Sequence, residues 1–202
     1  MSVEIFHPLI QRWFDSKFKT PTNIQSKAWP AIANREHVLI TAPTGSGKTL
    51  TAFLWSINRF ITGELATGRT RVLYISPLKA LNNDIQRNLI APLEELQSLF
   101  ADEGVEYPSI RIQTRSGDTD SSARSRMLRH PPEILITTPE SLNLLLSSKG
   151  GQGLLHSIDT VILDEIHGVA ESKRGVYLMT AVERLVPFSG EFQRIALSAT
   201  IN

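Results

Sequence analysis

The sequence predicts an α/β fold, a mostly parallel sheet with helices on both faces, from three observations. Six short β-branched apolar runs, "HVLITA", "RVLYISP", "SIRIQT", "EILITT", "TVILDE" and "RIALSA", are each bounded by turn or polar residues. Segments long enough for amphipathic helices separate them, the alternation expected of parallel strands joined by crossover helices. A glycine-rich loop follows the first run directly, and in doubly wound sheets ligands sit beyond the carboxyl ends of the strands.

Ahead of the strands, "VEIFHPLIQRWFDSKF" spaces Ile5, Leu9 and Trp13 four apart and predicts a helix, "KTPT" breaks it, and a second helix begins near Asn23. A linking helix after Pro77 carries Leu81, Ile85, Leu89, Leu93 and Leu96 on one face, with Pro92 expected to kink it. "SSKGGQG", Ser147 to Gly153, reads as a loop. With no repeat, low-complexity tract or linker, residues 1–202 read as one domain with a short helical region at 1–35.

At 202 residues, 41% hydrophobic and 20% charged, the chain can bury one sizeable core. A formal net charge of +1 excludes a strongly basic whole-protein surface, so any contact with nucleic acid has to be local. The absence of cysteine excludes disulfides, thiolate nucleophiles and thiolate metal sites. No apolar run approaches about 18 residues, and the N-terminus lacks the apolar core of a signal peptide, so a cytoplasmic protein without a membrane partner is expected.

"APTGSGKT" lies between a predicted strand and a helix, the context of a phosphate-binding loop. Pro43, Thr44, Gly45, Ser46 and Gly47 form a backbone whose glycines permit the turn and leave amide N–H groups free to surround phosphate oxygens. Lys48 supplies a point charge for the β and γ phosphates, and the Thr49 hydroxyl suits the accompanying Mg²⁺. The general pattern begins with glycine; this chain has Ala42 there.

"TVILDEIHG" ends a buried strand in two carboxylates, which need a cation or a task. Asp164 suits Mg²⁺, and Glu165 suits orientation and deprotonation of an attacking water. His167 stands three residues beyond Asp164; no other histidine has ligand spacing, and His7, His37, His130 and His156 read as surface or capping residues.

"DEIH" resembles the DExH form of motif II of superfamily 2 helicases, and "APTGSGKT" their motif I. "SPLKAL" is similar to motif Ia, "SGDT" to the glycine motif after it, "TTPESL" to motif Ib and "LSAT" to motif III, all in the family's order. The wording of "SPLKALNNDIQRNL", "TTPESL" and "DEIH" resembles most the large helicase-related, Lhr-type, proteins, a group of DNA-stimulated helicases.

The resemblance implies a RecA-like P-loop NTPase fold, ATP and Mg²⁺ as cofactors, and ATP hydrolysis coupled to movement along nucleic acid. "TPTNIQSKAWPAI" resembles the Q-motif region, which implies that Gln25 reads the adenine edge; Phe18 can stack on the base or pack in the core. Ser76, Pro77, Lys79, Arg115, Ser116, Gly117, Thr138, Pro139 and Glu140 then become candidates for contact with single-stranded nucleic acid, DNA favoured over RNA. Ser198, Ala199 and Thr200 become coupling residues beside His167. The family's second RecA-like domain, which bears an arginine finger, is expected outside this sequence. Arg124, Arg126 and Arg129 read as a solvated helix face or as a basic track.

Two other classes compete with a motor: a nucleotide-dependent binding switch, and a kinase or GTPase. A GTPase wants an Asn-Lys-x-Asp base reader, which is missing, and a kinase has no use for "TTPESL" or "SAT".

Overall fold

A computed structural model describes residues 3–76, 85–168 and 172–199. In chain order, α1 (Pro8–Phe18) and α2 (Asn23–Ala33) precede β1 (Val38–Thr41), α3 (Lys48–Ile61) and β2 (Val72–Ile75). A π-helical turn (Gln86–Ile90) leads into α4 (Ala91–Asp102), then β3 (Ile112–Arg115), α5 (Ser121–Arg129), β4 (Ile134–Thr137), α6 (Pro139–Leu146) and α7 (Lys149–Leu155). β5 (Thr160–Leu163), a 3-10 turn (Ile166–Gly168), α8 (Lys173–Glu183), α9 (Val186–Ser189) and β6 (Gln193–Ser198) complete the described elements.

The six strands stand in the order β1-β6-β5-β2-β4-β3, and every pairing is parallel. All six carboxyl ends therefore lie along one edge. Side chains alternate between the faces: Val72 and Tyr74 enter a core with Trp29, Phe53 and Phe100, whereas Leu73 and Ile75 enter a second core with Leu135, Leu145 and Leu178. The first core includes Phe6, Trp13 and Phe14, so residues 1–35 contribute to the core that backs β1 and α3.

Each apolar run became a strand, and three local expectations need correction. Ile5 lies outside α1, because His7 caps that helix by accepting the Leu9 N–H at 3.2 Å and Pro8 opens it. The expected kink at Pro92 takes the form of the π-helical turn immediately before it: proline has no N–H for the carbonyl four residues back, and its ring crowds that turn. Leu81 lies outside the described residues.

"SSKGGQG" is the third correction, since residues 149–155 are helical. Ser148 caps α7 by accepting the Gly151 N–H, and a Cβ on Gly151 would lie 2.2 Å from the Leu145 carbonyl oxygen. Gly151 thus serves close packing rather than a turn. Gly151→Ala is expected to cost about 2 kcal/mol by forcing α6 and α7 apart. At this chain length that lowers the melting temperature by roughly 6 °C in a calorimetric scan; an unchanged melt refutes the packing account.

At the opposite edge of the sheet, Asp159 gathers cations before β5. Its carboxylate accepts from Arg59 at 2.5 Å, Arg35 at 2.7 Å and the Thr160 hydroxyl at 2.9 Å. Burial opposes its ionisation, but the Arg59 hydrogen bond and charge, helped by Thr160 and Arg35, hold the carboxyl below its ordinary value of 3.8. A depressed folded value stabilises the fold above the ordinary one, and that contribution is lost as pH falls through the folded value. Asp159→Asn is therefore expected to cost about 3 kcal/mol at neutral pH and to flatten the acid limb of a stability–pH curve below pH 3.8. An acid limb as steep as that of the parent would show that other carboxylates carry it.

Candidate nucleotide site and the neighbouring sheet edge

The phosphate-loop residues leave β1 and enter α3. Ala42 donates its N–H to the Ser198 carbonyl at 3.2 Å, which ties the loop's start to the end of β6. Gly45 and Gly47 have φ of 81° and 86°, a region costly for a side chain. Gly47 caps α3 without a side-chain acceptor, so no side chain occupies the positive end of this 14-residue helix. The Ser46 Oγ is buried with no partner. An uncapped helix start beside an orphaned hydroxyl fits a bound anion, which would satisfy both.

Lys48 is buried, and its Nζ donates to the carbonyls of Ala42 at 2.5 Å and Pro43 at 3.0 Å. Those contacts hold the ammonium beneath the loop. Thr44 to Leu50 line a cleft of about 550 Å³ that also takes in Asp164 and Glu165, so the loop and the acid pair, far apart in sequence, share one cavity. Phe18 and Gln25 line the same cleft. Gln25 accepts the Thr22 N–H at 2.9 Å through Oε1, closing a capping box on α2. Its amide nitrogen lies against the loop, 3.0 Å from where a Cβ on Gly47 would sit. Phe18 is 40% exposed and touches Phe14 and Trp13 with ring centroids 5.0 and 5.8 Å away.

Sequence reasoning missed the opposite wall, where Arg87, Asn88, Ala91 and Pro92 of the π-helical turn and α4 face the cleft. Only Pro92 signalled an irregularity there. α4 is fixed to α1 through Glu95, which accepts from Trp13 Nε1 at 2.6 Å and Lys17 Nζ at 2.5 Å.

Tyr74 was also missed. From β2 its hydroxyl donates to Asp164 Oδ2 across the β2–β5 ladder, while Asp164 Oδ1 accepts the Glu165 N–H at 2.9 Å. Burial pushes the Asp164 carboxyl up, the Tyr74 hydrogen bond pulls it down, and the charge of Glu165 adds to the rise; the balance lies above the ordinary carboxylate value. A carboxylate in that position gains from a cation, which suits a metal ligand.

Glu165 has φ of 51°, a left-handed backbone that costs a non-glycine residue of order 1 kcal/mol. A carboxylate oxygen of Glu165 lies 3.1 Å from His167 Nε2, and His167 Nδ1 accepts the Ala199 N–H at 3.1 Å. Acceptance at Nδ1 requires the imidazole tautomer protonated on Nε2, which faces Glu165. His167 thus bridges the end of β5 to the residue after β6. The Ser198 Oγ donates to the Ala199 carbonyl at 3.0 Å. Thr200 lies outside the described residues.

The sheet order separates the remaining candidates from this cluster: β1, β6 and β5 carry the phosphate loop, "SAT" and "DEIH", and β2, β4 and β3 carry the rest. Ser76 is buried and donates its N–H to the Thr137 carbonyl at 3.1 Å. Pro77 and Lys79 lie outside the described residues. After β3 a short turn folds on itself: Ser116 N–H donates to Thr119 Oγ1 at 2.9 Å and Asp118 N–H to Ser116 Oγ at 3.3 Å. Gly117 sits at its tip, and Arg115 ends the strand.

Thr138 caps α6 by accepting the Ser141 N–H, and Pro139 opens the helix. Glu140 accepts from Arg174 at 2.8 Å. Its carboxylate is therefore already engaged by a cation of α8, and it can act on an anionic strand only by orienting that arginine. Among the described residues no helix is long and apolar enough to cross a membrane, and no group of three or more potential metal ligands occurs.

Comparison with known proteins extends the picture. The chain is 48% identical to the ATP-dependent helicase Lhr-Core of Methanocaldococcus jannaschii over 98% of its length and 24% of the relative's. It is 47% identical to the ATP-dependent helicase Lhr-Core protein 2 of Thermococcus barophilus, over 98% of this chain and 23% of the relative. The solved structure of Mycobacterium smegmatis helicase Lhr, bound to single-stranded DNA and AMP-PNP, matches with a TM-score of 0.92 at 46% identity, over 99% of this chain and 25% of that one. The chain therefore spans about a quarter of the length of these relatives. The fold is RecA-like. The family profile described as DEAD/DEAH box helicase matches residues 22–202, from the cap of α2 through the phosphate loop, the acid pair and the end of β6, and the chain belongs to that family.

Proposed function

We propose that this chain is the ATP-binding first motor domain of an ATP-dependent DNA helicase, with residues 1–202 acting as one unit. The observation that carries the reading is the common cleft of Lys48, Asp164 and Glu165. The Lys48 ammonium turns from the loop carbonyls to the β and γ phosphates, and the amides of Gly45 to Lys48 surround the phosphate oxygens. Gln25 retains an acceptor lone pair and amide hydrogens for the adenine edge, and Phe18 offers an exposed ring for the base. Thr49 and Asp164 would hold Mg²⁺, which would supply positive charge to offset that of the phosphates.

Glu165 orients the attacking water and accepts its proton. His167 holds Glu165 and, through Ala199, passes any displacement to the end of β6, where Ser198 and Thr200 complete the coupling segment. Single-stranded DNA, favoured over RNA by the DNA-bound relative, runs along the ends of β2, β4 and β3. Ser76, Pro77, Lys79, Arg115, Ser116, Gly117, Thr138 and Pro139 contact its phosphates, with Glu140 steering Arg174. A second RecA-like domain supplies the arginine finger and the closing motion, and the intact protein works in the cytoplasm.

The test uses the polypeptide that contains both motor domains and a fluorescently labelled DNA duplex. Strand separation should require hydrolysable ATP and disappear with Lys48→Ala. ATP-dependent DNA retention without strand separation would instead identify a nucleotide-driven binding switch.

A further inference from the structure

Half of the fourteen arginines have an acidic partner among the described residues: Arg12 pairs with Glu103, Arg35, Arg59 and Arg71 with Asp159, Arg111 with Glu133, Arg174 with Glu140 and Arg194 with Glu183. Arg115 and Arg124 do not, among the described residues, although both are half-buried. Arg115 ends β3, and Arg124 lies on α5, which Asp120 starts by accepting the Ala123 N–H at 2.8 Å. The turn between them holds the Gly117 carbonyl, to which Arg124 Nη2 donates at 2.9 Å. Arg124 Nε is buried and has no acceptor. The two guanidiniums are near enough that Arg124 adds to the effect of burial in disfavouring the charge on Arg115.

Half-burying like charges side by side costs free energy unless an anion joins them, and an orphaned N–H in the same place marks where an acceptor belongs. We infer that Arg115 and Arg124 together grip one backbone phosphate of the bound strand, with Arg124 pinned in position by the Gly117 carbonyl. The inference rests on the nucleic-acid reading of this sheet edge and adds Arg124 to it. Of the basic positions on α5, Arg124 alone faces the turn; Arg126 and Arg129 are exposed and stay on the solvated side. A guanidinium fork matches the two free oxygens of a phosphodiester, which an ammonium does not. The grip lies at the end of the edge strand, farthest in sheet order from the phosphate loop, so it would hold the strand without touching ATP.

The experiment measures binding of a fluorescein-labelled oligothymidylate to the 202-residue chain by anisotropy across a salt series, for the parent, Arg115→Gln, Arg124→Gln, Arg124→Lys and the double glutamine variant. Each glutamine variant should weaken binding about tenfold. The double variant should lose little more than either single one, and its salt dependence should flatten by about 0.7 in log–log slope, the loss of one phosphate contact. Arg124→Lys should fail to restore affinity. Arg115→Gln leaves the Gly117 tether intact and guards against a folding artefact, which melting temperatures check. Parent-like affinity and slope in the double variant would overturn the grip while leaving the nucleic-acid reading standing; a parent chain that takes up no strand would overturn both. A free phosphate ion offers the same acceptors: competition by inorganic phosphate beyond that of chloride at equal ionic strength, relieved in the double variant, would assign the pair to the free ion and overturn the strand assignment.

Discussion

Lys48→Ala is expected to weaken ATP binding by at least about a hundredfold, because two or more charge-assisted hydrogen bonds, each about 1.5–3 kcal/mol, are lost together. The parent side chain is buried beneath the loop and already directed at its interior by the Ala42 and Pro43 carbonyls, so little ordering is needed when phosphate arrives. Its removal also leaves those carbonyls without their donor, and a small fall in melting temperature should accompany the loss. Calorimetric titration with ATP and Mg²⁺ checks the affinity. An undiminished heat of binding would mean that the nucleotide sits elsewhere.

Glu165→Gln carries the other large effect. The amide is the same size and can still accept from His167 Nε2, so the left-handed backbone and the bridge to Ala199 should survive, as should ATP affinity. What disappears is the capacity to take a proton from water. With the second motor domain present, hydrolysis should fall by about 10² to 10⁴. A phosphate-release assay showing parental turnover would assign the base to another group, and a variant that no longer binds ATP would show that Glu165 supports the loop rather than the reaction.

The fold was legible because its sheet is central and parallel: "RVLYISP", "EILITT" and "TVILDE" are apolar on both faces, and their strands β2, β4 and β5 are buried throughout. That the phosphate-loop residues and the acid pair meet at one cleft was legible for a related reason, since amide cradles and terminal carboxylates follow directly from strand ends. Residues whose role depends on register or packing were not. Nothing local in "RVLYISP" says that the Tyr74 hydroxyl reaches Asp164; that follows only from pairing Tyr74 with Ile162 and Ile75 with Leu163 in the ladder. Composition misled at "SSKGGQG", where glycine signals the closeness of Leu145 rather than a flexible turn. Arg124 looked like one of several basic residues on a polar helix, and its tether to Gly117 and its half-burial, which only the structure shows, separate it from Arg126 and Arg129.

The phenol of Tyr74 has a consequence for how force could travel. β2 runs into the residues expected to meet the strand, yet its penultimate side chain grips an acid belonging to the adjacent ladder partner. A tug on one polymer would reach the Asp164 carboxylate through a single rigid side chain, without any intervening lever, so Tyr74→Phe, which keeps the ring and removes the hydroxyl, should uncouple pulling from splitting before it harms either.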